Sequence, residues 1–278
     1  MLTWFLFAIA VAVVAWLVLA PIVRSRRRDR LTHSEFPEAW HQLLFNRWRL
    51  YCHLPLSVRV RIQRQLQVML PETDFYGCDG VVVTEEMKVL ILAQAALLYG
   101  NVLEEGGRDF PVVLIYPGAF VRHGQAVDAL GLVSEERHEL LGESWEQGKV
   151  ILSWDDVERG ADRLDGHNLV IHEYAHQIDG YDGSMNGSPP LGGRQIFAAW
   201  PAIMQTAYDD LCNRVEERGD ASIDPYATTN PGEFFAVISE TFFTRPEALQ
   251  QDYPEVYQQL AAFYQEDPLS WIADCRME

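Results

Sequence analysis

The chain opens with an uninterrupted apolar run, from Leu2 to Val23, that carries no charged side chain. As a helix this run would extend roughly 33 Å at ~1.5 Å per residue, enough to cover a hydrocarbon core of ~30 Å. A buried core helix would show a polar face, and a cleaved signal peptide would have a basic start and a shorter apolar segment. The run has neither feature, so it predicts an uncleaved transmembrane anchor over residues 1–23.

Beyond this run, apolar positions recur mostly with helical spacing. Residues 54–70 are ambiguous, because Val58, Val60 and Ile62 alternate as in a strand, but Pro55 and the length of the segment favour a helix. Further helices are predicted over residues 34–51, 85–100, 162–180, 195–218, 230–246 and 254–265.

Two short runs rich in β-branched residues, 111–117 and 149–154, predict core strands. Residues 80–84 are either a third short strand or the lead-in to the next helix. His123 and His138 lie in the polar stretch between the two core strands and are expected on the surface. The pattern therefore predicts a mostly helical domain with a small sheet.

Charge is distributed unevenly along the chain. Five arginines lie within residues 24–30, whereas residues 31–278 carry 17 basic and 39 acidic side chains. A body this acidic repels phosphate backbones, which argues against a nucleic-acid partner. Residues 24–35, which follow the apolar run and contain these arginines, are expected to be a basic juxtamembrane linker. Because Lys and Arg beside a span favour the cytoplasmic side, the remaining chain is expected at the cytoplasmic face of the inner membrane. The four scattered cysteines, without a CxxC pair, suit a reducing compartment.

The segment "LVIHEYAHQIDG", which begins at Leu169, carries the main chemical signal. On a helix, His172 and His176 lie on one face, so both imidazoles can bind one metal ion. Glu173 lies about a third of a turn away from His172, from where it can reach a water on that ion. Neutral imidazole suits zinc, and HExxH is the usual helical form of such a site. The segment therefore predicts a catalytic zinc helix.

The flanks of this helix also carry signals. Asp165 is available as the N-cap, and Gly180 lies just beyond the C-terminal end. The glycine-rich stretch 180–193 lacks the spacing and the final glutamate of a calcium loop. It is expected to form a flexible rim of the active site.

A catalytic zinc needs a third protein ligand. Asp182 occupies the position where a metzincin would have its third histidine, and no histidine follows His176, so the candidates are carboxylates. Glu233 and Glu240 are seven residues apart and lie on one helix face. Glu233 has the alternative of completing a capping box with Asn230, whereas a buried, ionised carboxylate at Glu240 would have to be paired or to meet a cation. Spacing leans slightly toward Glu240, and the residues alone leave the choice open.

Several ordered motifs resemble one known family. HEYAHQIDG is followed by DPYATTNPGEFFAVISETFF and FYQEDPL, and it is preceded by VLIYPGAF and SWEQGKVILSW. Over most of residues 50–270 these motifs resemble the Mlc titration factor A family of bacterial zinc peptidases. That family is similar to the catalytic domain of anthrax lethal factor. The resemblance implies an α+β, zincin-like peptidase domain over residues 36–278 that holds one zinc ion.

The resemblance also implies roles for individual residues. In the family a tyrosine precedes the glutamate ligand by seven residues, a spacing that selects Tyr226 and Glu233. The zinc ligands implied are then His172, His176 and Glu233. Glu173 is implied as the general base, and Tyr226 as the hydrogen-bond donor to the oxyanion of the transition state.

Two further carboxylates acquire a different role under this resemblance. Glu240 and Asp179 become candidates for orienting the ligand imidazoles through their other ring N–H. The capping alternative for Glu233 stays open, since one carboxylate cannot comfortably cap a helix and bind a metal.

The family implies aminopeptidase-type hydrolysis of peptide or protein substrates and, in enteric bacteria, binding of the transcriptional repressor Mlc. Its well-known members are soluble, whereas this chain begins with an apolar run that would tether it to a membrane. The alternative is a non-catalytic regulatory protein that binds and sequesters a transcription factor. Because a pure binding module has no use for a general base beside a metal, Glu173 favours the enzyme.

Overall fold

A computed structural model describes residues 2–102, 110–118, 148–191, 197–218 and 222–274. Within these ranges the chain forms twelve α-helices and three β-strands. The helices are α1 (Leu2–Thr32), α2 (Glu38–Arg47), α3 (Arg49–His53), α4 (Leu56–Met69), α5 (Glu85–Val102), α6 (Trp154–Asp162), α7 (Leu169–Asp179), α8 (Trp200–Arg218), α9 (Pro231–Thr244), α10 (Pro246–Asp252), α11 (Pro254–Tyr264) and α12 (Pro268–Asp274). The strands are β1 (Phe75–Gly77), β2 (Val112–Tyr116) and β3 (Lys149–Ser153). His123 and His138 lie outside the described residues.

The three strands form one parallel sheet in the order β1-β2-β3. Val113 in β2 pairs with Phe75 on one side and with Val150 on the other. β2 and β3 confirm the two predicted core strands, whereas residues 80–84 form no strand and lead into α5. β1 has only three residues, too few for a periodic signal, and the pattern does not predict it.

The mostly helical composition is confirmed, with shifts in the element bounds. The predicted helix over 34–51 is divided into α2 and α3 by Trp48, whose backbone is extended. The ambiguous segment 54–70 is helical as α4. The short helices α6, α10 and α12 are additional elements that the pattern does not predict. The zincin-like classification of the domain stays a prediction.

Helix α5 is the centre of the hydrophobic core. Every side chain from Val89 to Tyr99 is buried, as expected of a helix that is apolar almost all round. The helix continues past Gly100, where an added Cβ would lie 2.3 Å from Arg61 Nε. Helices α4, α7 and α11 pack around α5, so the helix with the two histidines rests directly on the core.

The N-terminal helix differs from its prediction. Over the described residues, no helix has both the length and the apolar composition needed to span a bilayer. The predicted transmembrane anchor over residues 1–23 is therefore wrong, and with it the membrane contact through a spanning helix and the single-pass location at the inner membrane. The prediction judged the apolar run by itself, whereas α1 continues through the arginine cluster to Thr32 and contacts α4. Arg24 Nη2 and Arg28 Nη2 lie 3.0 and 2.6 Å from Glu72 Oε2 and attach this part of α1 to the body.

Candidate metal centre

Helix α7 begins at Leu169, about two turns after the start of the predicted range 162–180. Its N-cap is Asn168, whose Oδ1 accepts the backbone N–H of Ile171 at 3.0 Å. Asp165, the predicted cap, accepts instead from the backbone of His167 in the preceding turn. Between them Gly166 has a φ of +100°, a left-handed conformation that interrupts any helix there. Gly180 is the C-cap, as expected.

Helix α9 begins with strong local signals. Asn230 Oδ1 accepts the backbone N–H of Glu233 at 3.0 Å, and Pro231 occupies the first helical position. The Asn230 side chain therefore caps the helix. The Glu233 carboxylate points instead at the two histidines of α7. Both Glu233 and Glu240 face α7, because seven residues correspond to two helical turns. Helix α7 packs against α9.

Two imidazoles and one carboxylate converge between α7 and α9. His172 Nε2 lies 3.1 Å from His176 Nε2. Glu233 Oε2 lies 3.0 Å from the first of these nitrogens and 3.3 Å from the second. The histidines are 2% and 3% exposed, so water cannot easily serve as their hydrogen-bond partner. The structure thus brings together the three residues that the sequence analysis names as ligands.

The spacing of these three donor atoms fits zinc. Bonds of ~2.0–2.1 Å at tetrahedral angles place neighbouring donor atoms about 3.3 Å apart. The separations of 3.0, 3.1 and 3.3 Å lie close to this value. Two imidazoles and one carboxylate, with one position open for water, are also the ligand set of many catalytic zinc sites. The residues present therefore fit a zinc ion.

Glu240 lies on the other side of the His172 ring. Its Oε1 is 2.7 Å from His172 Nδ1, and its Oε2 accepts the backbone N–H of Asn168 at 2.5 Å. A carboxylate at Nδ1 holds the proton of the neutral ring on that nitrogen, so that Nε2 of the neutral ring has its lone pair directed at the cluster. Glu240 thus contacts the nitrogen opposite to the one that faces Glu233.

The cluster has an excess of buried negative charge. Burial lowers the pKa of His172, but the Glu240 charge and the hydrogen bonds to Glu233 and Glu240 outweigh burial and raise that pKa to about 10. Burial also raises the pKa of Glu233, and the hydrogen bonds from His172 and His176 outweigh it and hold that pKa far below its usual range. Without a metal, protons on the imidazoles supply the positive charge that the carboxylates need. A divalent cation meets the same demand.

Tyr226 and Glu173 complete the surroundings. Tyr226 lies in a 3₁₀ turn capped by Asp224, and its hydroxyl donates to Glu233 Oε1 at 3.1 Å. It is 37% exposed, so it faces the open side of the cluster. Glu173 is buried beside His172 on α7, and its charge adds to those that raise the pKa of that histidine.

Asp179 contacts the backbone of the rim loop. It is completely buried at the end of α7, and its Oδ2 accepts the backbone N–H of Gly187 at 2.8 Å. Gly187 has a φ of +75°, and an added Cβ would lie 2.4 Å from Pro231 O. The hydrogen bond ties the described part of the rim loop, residues 180–191, to the end of α7, and Gly187 lets the loop approach the first turn of α9 closely.

Two residues near the cluster were not predicted from the sequence. Asn168 precedes an apolar helical run, which is an N-cap signal that competes with Asp165. Gln94 is a single amide within the apolar stretch of α5, and an isolated polar residue there is a signal for a buried hydrogen bond. Both residues lie in the hydrogen-bond network behind His172.

Comparison with known proteins places the chain in a family. The model of the glucose-regulated metallo-peptidase M90 family matches residues 23–265. An uncharacterized protein of Synechocystis sp. is 36% identical over 273 residues, which cover 96% of this chain and 98% of that protein. Mlc titration factor A of Yersinia pestis is 37% identical over 250 residues, 85% of this chain and 87% of that protein. Mlc titration factor A of Yersinia pseudotuberculosis matches to the same extent. The chain therefore belongs to the glucose-regulated metallo-peptidase M90 family.

Proposed function

We propose that this chain is a zinc-dependent peptidase in which His172, His176 and Glu233 bind the metal. The convergence of one donor atom from each residue within 4.8 Å carries the proposal, and membership of a metallo-peptidase family supports it. When bound, zinc supplies the chemistry of a Lewis acid, because it acidifies a water molecule and polarises the scissile carbonyl.

Glu173 moves the proton in this proposal. It follows His172 on α7, where it cannot share the coordination plane of the two histidines but lies beside it. As the general base it accepts a proton from the attacking water and returns it to the leaving amine. Its burial, with 7% of its surface exposed, restricts access of competing water.

Tyr226 stabilises the charge that develops on the substrate. Its hydroxyl donates to Glu233 Oε1 in the substrate-free structure, and its exposure leaves it within reach of a bound peptide. When substrate binds, the same O–H turns to the oxyanion of the tetrahedral intermediate. A contact that forms fully only in the transition state accelerates the chemical step.

The decisive experiment is Glu173→Gln. This change removes the proton acceptor and keeps the shape, so zinc content should stay at one ion per chain while peptide hydrolysis falls by about 10²–10⁴-fold. Glu255→Gln, an exposed glutamate on α11, is the matched control and should retain full activity. Unchanged hydrolysis by the Glu173 variant would remove this residue from the mechanism.

We further propose aminopeptidase-type cleavage, on the basis of the family resemblance of the motifs. Aminoacyl reporter substrates with a free α-amino group should then be hydrolysed, whereas their N-acetylated forms should not. Equal rates for both forms would contradict an aminopeptidase and indicate an endopeptidase.

A second candidate function is binding of a transcriptional repressor. Relatives that are 37% identical over 85% of this chain bear the name Mlc titration factor A, which points to the Mlc repressor. We propose that this chain binds an Mlc-like protein, to be measured by calorimetry with purified Mlc. Tight binding by a wild-type protein that hydrolyses no peptide would favour the non-catalytic regulatory protein over the enzyme.

A further inference from the structure

A buried chain of hydrogen bonds connects the centre of α5 with the candidate metal centre. It begins at Gln94, which is completely buried among apolar neighbours. Gln94 Nε2 donates to Leu90 O at 3.1 Å, and Gln94 Oε1 accepts from Asn168 Nδ2 at 2.7 Å. Because the amide nitrogen is bonded to a carbonyl, the amide oxygen is the atom that faces Asn168.

Asn168 is held at both ends of its side chain. Its Oδ1 accepts from Ile171 N, and its Nδ2 donates to Gly160 O at 3.0 Å as well as to Gln94. A Cβ on Gly160 would lie 3.0 Å from Asn168 Cα, so the absence of a side chain on Gly160 helps α6 to approach Asn168 closely. With the side chain fixed, the backbone N–H of Asn168 is directed at Glu240 Oε2, 2.5 Å away.

Glu240 connects the backbone of Asn168 with the His172 ring. Each of its carboxylate oxygens has one donor, Asn168 N on Oε2 and His172 Nδ1 on Oε1. A carboxylate with both oxygens bonded is fixed in rotation, and the imidazole bonded to it is fixed in turn. The orientation of His172 Nε2 therefore depends on Glu240 and, through Asn168, on residues that do not contact the metal centre.

We propose that Gln94 is a positioning residue for the metal centre and acts through Asn168 and Glu240 on the His172 ring. Packing alone does not require an amide at this position, since a methionine would fill a similar volume without a buried polar group. The amide oxygen of Gln94 is the atom that accepts from Asn168, and it sets the orientation of the Asn168 amide. The part of the inference that concerns zinc rests on the proposed function.

The test compares Gln94→Met with Gln67→Met. Gln67 is a second buried glutamine, on α4, and it bonds to Ser34 and Glu35 and not to the metal centre. Both changes remove a buried amide, so both should lower the stability of the metal-free protein. Gln94→Met should also weaken zinc binding about tenfold, the low end of the ~10–100-fold range for groups behind a ligand. Gln67→Met should leave zinc affinity unchanged.

A double-mutant cycle identifies the route. If Gln94 acts through Glu240, the zinc affinity of Gln94→Met combined with Glu240→Gln should equal that of Glu240→Gln alone. Fully additive losses would show that Gln94 affects the metal by another path. Equal zinc affinities of wild type and Gln94→Met, with lowered stability, would show a purely structural role and overturn the proposal.

A readout without metal separates this inference from the proposed function. In the metal-free protein, the NMR signal of the His172 Nδ1–H proton reports its bond to Glu240. This signal should shift in Gln94→Met and stay in place in Gln67→Met. Absence of zinc binding in the wild type would overturn the proposed function, whereas an unshifted ring signal in Gln94→Met would overturn the positioning role.

Discussion

Two partly buried carboxylates of this protein, Glu72 and Glu233, each lie between two basic groups. Glu72 meets the guanidinium groups of Arg24 and Arg28, whereas Glu233 meets the imidazoles of His172 and His176. Their side chains are 7% and 14% exposed. In both cases burial raises the pKa, and the basic partners outweigh it and lower the pKa below the ordinary value.

The two sites differ in whether their basic groups can give up a proton. A guanidinium stays protonated and has no lone pair for a metal, so the contact of Glu72 with Arg24 and Arg28 is an ion pair that cannot bind a metal ion. An imidazole can release its proton and offer the vacated lone pair to a metal. Similar burial and similar pairing therefore give a structural contact at Glu72 and a candidate metal centre at Glu233.

The sharpest test of this comparison removes each carboxylate in turn. Glu233→Ala should weaken zinc binding by more than ~100-fold, because a lost ligand costs more than a lost supporting group. Glu240→Ala should stay within ~10–100-fold, and Glu72→Ala should have no effect. Metal analysis of the three purified variants shows which of them loses most zinc. Loss of zinc from the Glu240 variant with retention in the Glu233 variant would reverse the assignment of the third ligand.

The next effect concerns the open side of the Glu233 cluster. Tyr226→Phe removes only the hydroxyl that donates to Glu233 Oε1. We expect kcat to fall by about 10²-fold, the size of the loss when one oxyanion donor is removed, with zinc content unchanged. Steady-state kinetics on an aminoacyl substrate provide the measurement. Tyr76→Phe, an exposed tyrosine in β1, is the control, and a loss confined to KM would assign Tyr226 to substrate binding only.

The smallest effect, on stability, is expected at the ion pair of Glu72 with Arg24 and Arg28. Because the pKa of Glu72 is lowered on folding from 4.5, its stabilising contribution is complete above that value and is lost as the pH falls through the folded-state pKa. Glu72→Gln should therefore cost about 1 kcal/mol of unfolding free energy at pH 7. Urea unfolding of both proteins should show this difference disappearing below pH 4.5. A constant difference down to pH 3 would mean that the charge of Glu72 is not what stabilises the contact.

Local patterns were sufficient for most of the helices and for β2 and β3. They were insufficient where two residues offer the same local signal. Asp165 and Asn168 are both good N-cap residues, and the choice between them depends on packing, because Gly160 and Gln94 bond to the Asn168 amide. The N-terminal run shows the same limit, since an apolar segment judged alone does not reveal that the following arginines contact Glu72.

Within the candidate site, the sequence alone contains the histidine pair, the adjacent glutamate and the need for a third, carboxylate ligand. These features depend only on helical periodicity and on the chemistry of the side chains. The choice between Glu233 and Glu240 is different, because a spacing of two turns places both on one face. Only the packing of α9 on α7 puts Glu233 Oε2 at 3.0 Å from His172 Nε2 and Glu240 Oε1 at 2.7 Å from Nδ1. The His172 ring thus lies between the two carboxylates, and only the tertiary structure shows which of them faces the candidate metal centre.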